Sequence, residues 1–371
     1  MCRFLGAFIL TLLITTPLQA QDNAHPAWRP VQAETLLTWI KRAPEEAIII
    51  PPEIAMGLRL AIDSGDTKRL NRAADAGALR LLRAYHGKCC GSSLRSNWHI
   101  TPTISDAALR KEIADGLIAD KVDLMLRANR PDHPHYRVLT TAYMSTDDAA
   151  LRALLARNLA RWRSLPLPER GRYLIVNAAS QTLTLWEDDR PIGSWRVIVG
   201  KKGSPTPVFT AQVSGVVLNP WWEIPSSIAA EGIGAFVRRN PSAARAKGYI
   251  YSNGRYRQMP GDNNALGRMK LVMPNRFTVF LHDTSNRELF QLDGRTLSHG
   301  CVRVDRALEF AGVLLNDADW TPTMVDEAVA SNVTQTVTLP KPIPLFVAYF
   351  TAEPNGKGGV RELADIYRRD R

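Results

Sequence analysis

The sequence predicts an α+β protein with an N-terminal α-helical scaffold domain and a mostly β domain that carries a lid (capping) insertion. Apolar residues recur at helical spacing over residues 34–162. After residue 171 the chain changes to short runs rich in β-branched and aromatic residues, which predict strands. Residues 220–267 are rich in proline, glycine and asparagine, and so long an irregular stretch inside a β-rich region indicates a segment that covers a site.

The helical part is predicted to span residues 21–168. Within it, residues 104–126 are predicted to form one long amphipathic helix that begins at the cap Ser105-Asp106, and residues 149–162 form another. The β domain is predicted over residues 169–340 and a C-terminal strand and tail over residues 341–371. The predicted strands are residues 173–176, 182–186, 195–200, 213–218, 278–282 and 344–350, with helices near residues 228–239 and 307–315.

The first residues predict export. Arg3 precedes an apolar run over residues 4–14 and the small residue Ala20, which is the pattern of a secretory signal peptide over residues 1–20. An uncleaved anchor is the alternative, although the run is short for a membrane span. No other stretch is apolar for long enough, so no transmembrane span is expected after cleavage, and the predicted location is the periplasm.

Composition and charge limit the classes of partner. The 371 residues are 45% hydrophobic and 22% charged, which is typical of a globular protein rather than a disordered one. The formal net charge of +11 suits nucleic acid, a membrane surface or an acidic polymer. Composition does not choose among these three, but an exported protein is not expected to meet nucleic acid. A polymer of the cell envelope is therefore favoured.

The cysteines direct attention to one residue. Cys2 leaves with the signal peptide, and Cys89 and Cys90 are adjacent, so they form either a strained vicinal disulfide or two thiols of a surface loop. Cys301 then has no evident partner. Because an unpaired thiol in an exported protein is prone to oxidation, its presence needs an explanation. Chemical reactivity is one such explanation.

The residues around Cys301 favour a nucleophile. Cys301 follows Gly300 and is predicted to lie just before a helix, where main-chain N–H groups could stabilise an oxyanion. His282 ends a predicted strand and is placed as the base, with a main-chain carbonyl near Asp283 to orient its second ring nitrogen. A nearby imidazole or a helix N-terminus is expected to lower the thiol pKa. The predicted reaction is acyl transfer through a thioester.

Two alternatives remain for these residues. His282, His299 and Cys301 lack a clear fourth ligand, so a metal site is disfavoured and none is predicted. Cys301 as an inert buried thiol is the other alternative. His299 either shapes the oxyanion hole or holds the loop.

The segment resembles a known family. His282 followed, after fifteen residues, by Ser298-His299-Gly300-Cys301 is similar to the signature of the YkuD-type L,D-transpeptidases. Further motifs resemble the YcbB-like branch, and the resemblance covers roughly residues 155–371. They are Ser204-Pro205-Thr206-Pro207, Asn219-Pro220-Trp221-Trp222, Asn264-Ala265-Leu266-Gly267 and Asp365-Ile366-Tyr367.

The resemblance implies an activity without a cofactor. Cys301 attacks the carbonyl of the third residue of a peptidoglycan tetrapeptide stem, releases D-Ala and passes the acyl group to an acceptor stem amine, with His282 as the base. The main chain around His299 and Gly300 forms the oxyanion hole. Donor and acceptor stem peptides are the implied partners, and cell-wall synthesis proteins are further candidates. A β-lactam carbonyl offers the same attack, so a carbapenem is expected to acylate Cys301.

The resemblance also implies substrate-binding residues. Arg303 is either a carboxylate-binding cation or part of a structural ion pair. Trp222 either covers the substrate or belongs to the core. Phe280 stands where the branch often has tyrosine, so a hydroxyl role is lost there. Asn264 and Ser298 complete the predicted set of substrate-binding residues.

Several points stay open at this stage. The larger members of the branch carry a peptidoglycan-binding module in the helical part, and this chain has no room for it there, so the cross-link type, 3-3 or 1-3, is not determined. The same thioester could be hydrolysed, as in an L,D-carboxypeptidase, or exchanged with a D-amino acid. A non-catalytic peptidoglycan scaffold is the alternative of a different class, and the helical part is interpreted as a scaffold or a docking surface.

Overall fold

A computed structural model of the protein describes residues 26–88 and 98–370. The predicted signal peptide, residues 1–20, and the adjacent Cys89 and Cys90 lie outside the described residues. Within the two described ranges, no helix is both long enough and apolar enough to cross a membrane.

Seven α-helices precede the first strand in the described part of the chain. A short 3₁₀ turn, Ala43–Glu46, joins the first two of them. The helices are α1 (Pro30–Arg42), α2 (Pro52–Ser64), α3 (Thr67–Tyr85), α4 (Asp106–Ile118), α5 (Val122–Asn129), α6 (Pro134–Ser145) and α7 (Ala149–Arg163). The helix predicted over residues 149–162 is confirmed as α7.

The single helix predicted over residues 104–126 is wrong, because the chain turns between α4 and α5. Asp120 has a positive φ of 56°, which ends the helical path. The N–H of Lys121 then donates to the carbonyl oxygen of Gly116 at 2.8 Å, and the N–H of Asp120 donates to Leu117 at 3.2 Å. The predicted start is confirmed, since the Ser105 hydroxyl accepts from the N–H of Ala108 at 3.0 Å.

Buried apolar side chains form two separate clusters in the described residues. The first lies among α1 to α5 and includes Leu36, Leu81 and Leu126. The second combines α6 and α7 with the strands that follow them, through residues such as Leu155 and Val176. The last two helices thus pack with the β-rich part of the chain. The predicted domain limits at residues 168 and 340 remain predictions.

The strands form one large mixed sheet and two small ones. A mixed sheet combined with many helices confirms the predicted α+β class. The strands are β1 (Arg172–Asn177), β2 (Thr182–Glu187), β3 (Arg190–Gly200), β4 (Phe209–Leu218), β5 (Trp222–Glu223), β6 (Tyr249–Ser252), β7 (Arg255–Gln258), β8 (Met269–Val272), β9 (Leu281–His282), β10 (Thr296–Ser298), β11 (Val302–Val304), β12 (Gln335–Ala348), β13 (Ala352–Pro354) and β14 (Val360–Glu362).

The large sheet closes on itself through β3. Its order is β10-β3-β11-β9-β8-β4-β12-β1-β2, and β2 pairs back with β3. Residues 190–196 of β3 carry the ladder with β2, and residues 197–198 carry the ladder with β11. The enclosed apolar side chains pack with two later helices, α11 (Ala307–Leu315) and α12 (Pro322–Ala330). Pairing around the ring leaves few free strand edges.

Residues 220–267, which we name the capping segment, are inserted between β4 and β8. These two strands pair directly with each other, so the insertion leaves and returns at one place on the sheet. It contains the small sheet β5-β7-β6. The helix predicted near residues 228–239 is confirmed as two helices joined by a π turn, Ala229–Ile233, in which Gly232 has a φ of 137°. The remaining helices are α8 (Ser226–Ile228), α9 (Gly234–Arg239), α10 (Pro241–Ala246), α11 (Ala307–Leu315) and α12 (Pro322–Ala330).

Candidate active site

Three side chains lie in a row across three neighbouring strands. His282 on β9 pairs with Lys270 on β8 and with Arg303 on β11. Paired residues on neighbouring strands project to the same face of a sheet. Their chain neighbours, such as Met269 and Val302, are buried in the apolar core, so the three polar side chains lie on the opposite face. His282 is nevertheless only 5% exposed.

Cys301 lies directly before β11, beside this row. The N–H of Val302 donates to the carbonyl oxygen of Phe280 at 2.9 Å and aligns the two strands. The Cys301 Sγ lies 4.0 Å from the carbonyl oxygen of Thr278. The strand predicted over residues 278–282 is shorter than expected, because Thr278 has a positive φ of 55° and only the last two residues pair as β9.

The expected helix N-terminus does not reach the thiol. The helix predicted over residues 307–315 is confirmed as α11, but β11 stands between it and Cys301. A helix dipole acts mainly within its first turn, so α11 has little influence on the sulfur.

His282 has the ring orientation that a general base needs. Its Nδ1 lies 2.5 Å from the carbonyl oxygen of Asp283, which confirms the predicted orienting acceptor. A carbonyl only accepts hydrogen bonds, so Nδ1 carries the proton and Nε2 keeps its lone pair. Burial, together with the positive charge of Arg303, lowers the pKa of His282 to about 4. The imidazole is therefore neutral at neutral pH.

The thiol is not a resting thiolate, contrary to the expectation from the sequence. Burial raises the pKa of Cys301, whereas a hydrogen bond with the Phe280 main chain and the charges of Arg303 and Lys270 lower it. Burial is the largest of these effects. A neutral thiol beside a neutral imidazole implies that the proton leaves as sulfur attacks.

Ser298 organises the loop that carries the cysteine. Its hydroxyl donates to the carbonyl oxygen of Cys301 at 2.6 Å and accepts from the N–H of Gly300 at 3.0 Å. Gly300 has a φ of 116°, which favours glycine. Because the Gly300 N–H is occupied, the N–H groups of His299 and Cys301 are the better candidates for an oxyanion hole. In residues 26–88 and 98–370, neither N–H has an acceptor.

His299 connects the cysteine loop to the capping segment. Its exposed ring Nε2 lies 3.1 Å from the Glu231 carboxylate and 3.2 Å from the Lys201 ammonium. Glu231 belongs to the π turn of the capping segment. This contact supports the loop-holding alternative for the His299 side chain, while its main-chain N–H stays available.

The other predicted residues differ in their position relative to the site. Phe280 lies beside the row, with the Lys270 Nζ 4.9 Å from its ring centroid. Trp222 is half-buried on β5, in the capping segment. Asn264 is buried, and its amide donates to the carbonyl oxygens of Pro220 and Met259 at 3.0 and 2.9 Å. Its oxygen accepts the N–H of Leu266 at 2.8 Å. The hydrogen bonds of this side chain therefore hold the base of the capping segment.

Arg303 has no carboxylate partner within ion-pair distance among the described residues, which removes the structural ion pair as its explanation. Its Nε is buried without a hydrogen-bond partner. Burial lowers the pKa of Arg303, and the Cys301 sulfur acts in the opposite direction. This cation is therefore free to meet an anionic ligand.

Lys270 and Thr206 belong to the site, although the sequence analysis did not select them. Lys270 alternates with the buried Met269 and Leu271, a pattern that places it on one face of a strand. Thr206 is fully buried and donates to the carbonyl oxygen of Gly300 at 2.9 Å. For Lys270 the alternation was a usable signal, but the neighbouring strand could not be known from it. No group of three or more histidines, cysteines or carboxylates in the described ranges is placed to hold a metal ion.

Comparisons with known proteins identify similar sequences. Residues 171–330 match the family model of YkuD, described as the L,D-transpeptidase catalytic domain. A protein of Haemophilus influenzae named "Putative L,D-transpeptidase" is 34% identical over 238 residues, covering 58% of this chain and 48% of that protein. The matched region therefore spans about half the length of this relative.

Solved structures of low sequence identity also match. An L,D-transpeptidase from Mycobacterium smegmatis is 15% identical, covers 48% of this chain and 58% of its own, and has a TM-score of 0.26. L,D-transpeptidase 3 from Mycobacterium tuberculosis, in complex with a faropenem-derived adduct, is 14% identical, with coverages of 48% and 60% and a TM-score of 0.26. These scores are too low to support an argument, so the assignment rests on the family model and the curated relative. Residues 171–330 are thus similar to the L,D-transpeptidase catalytic domain of the YkuD family.

Proposed function

We propose that the protein is an exported peptidoglycan L,D-transpeptidase of the YcbB-like branch that works through a thioester on Cys301. The observation that carries the proposal is the orientation of His282, whose Nδ1 is held by the Asp283 carbonyl on the strand next to Cys301. This leaves Nε2 as the proton acceptor on the face that the thiol shares. The periplasm is the proposed location, and stem peptides are the proposed partners.

The acylation step begins with a neutral His282 imidazole and a neutral Cys301 thiol. The His282 Nε2 takes the Cys301 proton as sulfur attacks the carbonyl carbon of the third stem residue. The negative charge that develops on the carbonyl oxygen is stabilised by the N–H groups of His299 and Cys301. The tetrahedral intermediate collapses, the bond to D-Ala breaks, and the imidazolium returns the proton to the leaving amine. A thioester on Cys301 remains.

The second step reverses this sequence with another amine. The acceptor stem amine attacks the thioester carbonyl, loses a proton to His282, and releases the Cys301 thiol as the new amide forms. Water in place of the amine gives the L,D-carboxypeptidase reaction, and a free D-amino acid gives exchange. Arg303 is proposed to bind a stem carboxylate, and Trp222 and Phe280 are proposed to border the stem. The cross-link, 3-3 or 1-3, depends on which acceptor reaches the thioester.

The helical part is proposed to act as a scaffold without an inserted peptidoglycan-binding module at its end. α6 ends at Ser145 and α7 begins at Ala149, so only a short connection joins the two helices. The capping segment is proposed to act as the lid of the active site. The contact between Glu231 and His299 supports this role, because it joins the segment to the cysteine loop.

The proposal is tested by incubating the protein with a disaccharide-tetrapeptide and analysing the products by mass spectrometry. We expect loss of D-Ala and formation of cross-linked dimers, both abolished in Cys301→Ala. D-Ala loss without dimers would identify the carboxypeptidase instead, and no reaction of any kind would support the non-catalytic scaffold. Dimers formed by Cys301→Ala would refute the nucleophile assignment. A carbapenem is expected to add to Cys301 alone, as mapped by peptide mass spectrometry.

A further inference from the structure

A groove crosses the capping segment between α9 and the hairpin of β6 and β7. It has a volume of about 770 Å³, within the range of roughly 300–1,000 Å³ that is usual for ligand sites in proteins. Ala230, Ala235, Tyr251 and Arg255 line it, and we name it the capping groove. All of its described lining residues belong to the capping segment, so it is separate from the row of side chains around His282.

We propose that the capping groove binds the glycan strand to which the stem peptides are attached, a polymer of N-acetylated amino sugars. The inference rests on the proposed function, because that function brings this polymer to the protein. It adds a saccharide site that is distinct from the site of the stem, and it gives the capping segment a role in binding the substrate.

Two tyrosines form one wall of the groove. Tyr251 on β6 pairs with Tyr256 on β7, and their ring centroids lie 4.7 Å apart. The Tyr256 hydroxyl accepts a hydrogen bond from Arg238 at 2.7 Å, and a Cβ at Gly234 would lie 3.3 Å from the Tyr256 ring, so this ring is held against α9. Tyr251 packs on it and remains 58% exposed. A ring that is already fixed loses little freedom on binding, so Tyr251 can serve as a platform for a ligand.

Two arginines supply hydrogen-bond donors at the rim of the groove. Neither Arg238 nor Arg255 has a carboxylate within ion-pair distance in the described ranges. Glu223 also lines the groove, but it pairs with Arg257 at 2.6 Å. A guanidinium donates to any oxygen acceptor, and the hydroxyl and acetamide oxygens of an amino sugar are such acceptors.

The shape of the groove suits a flat ring with polar edges. Its floor consists of small side chains, including Ala230 and Ala235, so a ligand can approach the main chain closely. A sugar ring presents C–H groups on its faces and hydroxyl groups around its edge. The face of Tyr251 attracts the C–H groups, and the arginines meet the edge. A membrane surface would instead require apolar side chains that protrude from the segment.

The groove lies within reach of the thiol. Ala230 on the floor is followed by Glu231, whose carboxylate lies 3.1 Å from the His299 Nε2, and His299 is two residues from Cys301. In the polymer, a lactyl group and three stem residues separate the sugar from the attacked carbonyl. Such a linker spans about 14 Å when extended, at about 3.5 Å per unit. A stem bound at Cys301 can therefore place its own glycan strand in the groove.

Calorimetric titration with chitohexaose tests the inference. This neutral oligomer of N-acetylglucosamine carries neither a stem nor a carboxylate, so it reports on the groove without the stem site. We expect the wild-type protein and Cys301→Ala to bind it equally. Absence of binding to both proteins would overturn the inference.

Tyr251→Ala is expected to weaken the binding of chitohexaose by about tenfold, because the sugar loses the aromatic face that it packs on. Tyr251→Phe keeps the ring, and its Kd is expected to stay within about threefold of the wild-type value. A Tyr251→Ala variant that binds chitohexaose as tightly as the wild-type protein would contradict the platform role.

Arg255→Ala is also expected to weaken binding by about tenfold, because a hydrogen bond from a charged donor is lost. Arg245→Ala is the matched control. Arg245 is exposed on α10 in the same segment and does not line the described groove, so its removal changes the net charge equally. We expect it to leave Kd unchanged. Equal losses in the two variants would show that binding follows net charge, and would overturn the inference.

Vesicles of phosphatidylglycerol distinguish a glycan from a membrane surface. We expect the wild-type protein and Tyr251→Ala to bind these vesicles to the same extent. Vesicle binding that depends on Tyr251, without any binding of chitohexaose, would assign the groove to a membrane and reject the saccharide.

Two donors connect the groove to the reaction. The same tetrapeptide stem is supplied either free or attached to a glycan strand. In Tyr251→Ala, we expect KM for the attached stem to rise about tenfold relative to KM for the free stem. An equal rise for both donors would indicate a general effect on the lid and would overturn the inference. If the wild-type protein releases no D-Ala from either donor, the proposed function fails, while the chitohexaose titration still supports or rejects the saccharide site.

Discussion

The buried hydroxyl of Thr206 holds the carbonyl oxygen of Gly300, the residue before the candidate nucleophile. The two oxygens lie 2.9 Å apart. The same hydroxyl accepts the N–H of Gly200 at 2.9 Å, and the carbonyl oxygen of Gly200 accepts the Tyr367 hydroxyl at 2.6 Å. One side chain therefore ties the cysteine loop to the end of β3, and the C-terminal tail supports the same place.

Thr206→Val is expected to slow acylation of Cys301 by about tenfold or more, because the loop loses the bond that sets the Gly300 peptide. It is also expected to lower the free energy of unfolding by about 1–3 kcal/mol, since buried polar groups lose a partner. Stopped-flow acylation by a carbapenem and urea denaturation measure the two effects. Thr206→Ser keeps the hydroxyl and is expected to recover most of the rate; equal rates for the two variants would contradict the positioning role.

The residues of the reaction centre were predictable from the sequence, because the patterns that identify them are short-range. The spacing of His282 and Cys301 and the glycine before the cysteine are short-range patterns, and the acceptor for Nδ1 is the next residue along the chain. The helix over residues 307–315 was also predictable, because its apolar spacing is continuous. Predicting these features does not depend on which strands are neighbours.

Features set by distant parts of the chain were not predictable. Lys270 enters the site only because β8 pairs with β9, and Thr206 only because β10 lies beside β3. The raised pKa of Cys301 comes from burial by the rest of the fold, which no local pattern encodes. The turn at Asp120 was not predictable for another reason. The apolar pattern of a helix continues through this residue, whereas its positive φ is stabilised by main-chain hydrogen bonds.

The rate of carbapenem acylation is expected to rise through about pH 4 and then to stay level across neutral pH. Below its pKa of about 4, His282 is protonated and cannot accept the thiol proton. Above that pH, both the neutral imidazole and the neutral thiol are in their working forms, because the pKa of Cys301 is raised. Single-turnover rates measured as a function of pH provide the test.

Arg303→Gln is the informative variant for this profile. The charge of Arg303 lowers the pKa of His282, so its removal is expected to shift the acid limb to higher pH. A wild-type rate that climbs tenfold per pH unit through neutrality would instead indicate a reaction limited by thiolate, and would contradict the neutral pair.

Glu46→Gln is expected to cost about 3 kcal/mol of unfolding free energy, because it breaks a buried network that joins the two apolar clusters. The Glu46 carboxylate lies 2.5 Å from the Arg130 Nε and accepts the Tyr136 hydroxyl at 2.7 Å. Its main-chain carbonyl accepts from Arg163 of α7 at 2.7 Å. Removing one charge leaves a half-buried arginine unpaired. Urea denaturation followed by tryptophan fluorescence measures the loss.

Glu45→Gln provides the matched control for this network. Glu45 lies next in the same turn, but its pair with Arg42, at 3.3 Å, is exposed. Its removal is expected to change the free energy of unfolding by no more than about 0.5 kcal/mol. Similar losses in the two variants would show that burial of Glu46 is not the cause.

The unfolding free energy is expected to fall as pH decreases below about 6.5, and His133 is expected to account for a measurable part of the slope. His133 is 3% exposed, and its ring stacks on Trp162 with centroids 4.3 Å apart. Burial lowers its pKa to about 2. The unfolded chain therefore takes up a proton below about pH 6.5 that the folded protein refuses, which costs about 1.4 kcal/mol per pH unit.

His133→Asn isolates this contribution. The His133 Nδ1 accepts the N–H of His135 at 3.1 Å and caps α6, and an asparagine oxygen can accept the same bond but does not titrate. The variant loses ring stacking, so its absolute stability is lower, but its slope between about pH 6.5 and pH 4.5 is expected to be shallower by about 1.4 kcal/mol per pH unit. Part of the slope persists in the variant, because burial also holds the pKa of His282 at about 4. Parallel slopes for the two proteins, from urea denaturation at several pH values, would show that His133 is protonated in the folded state.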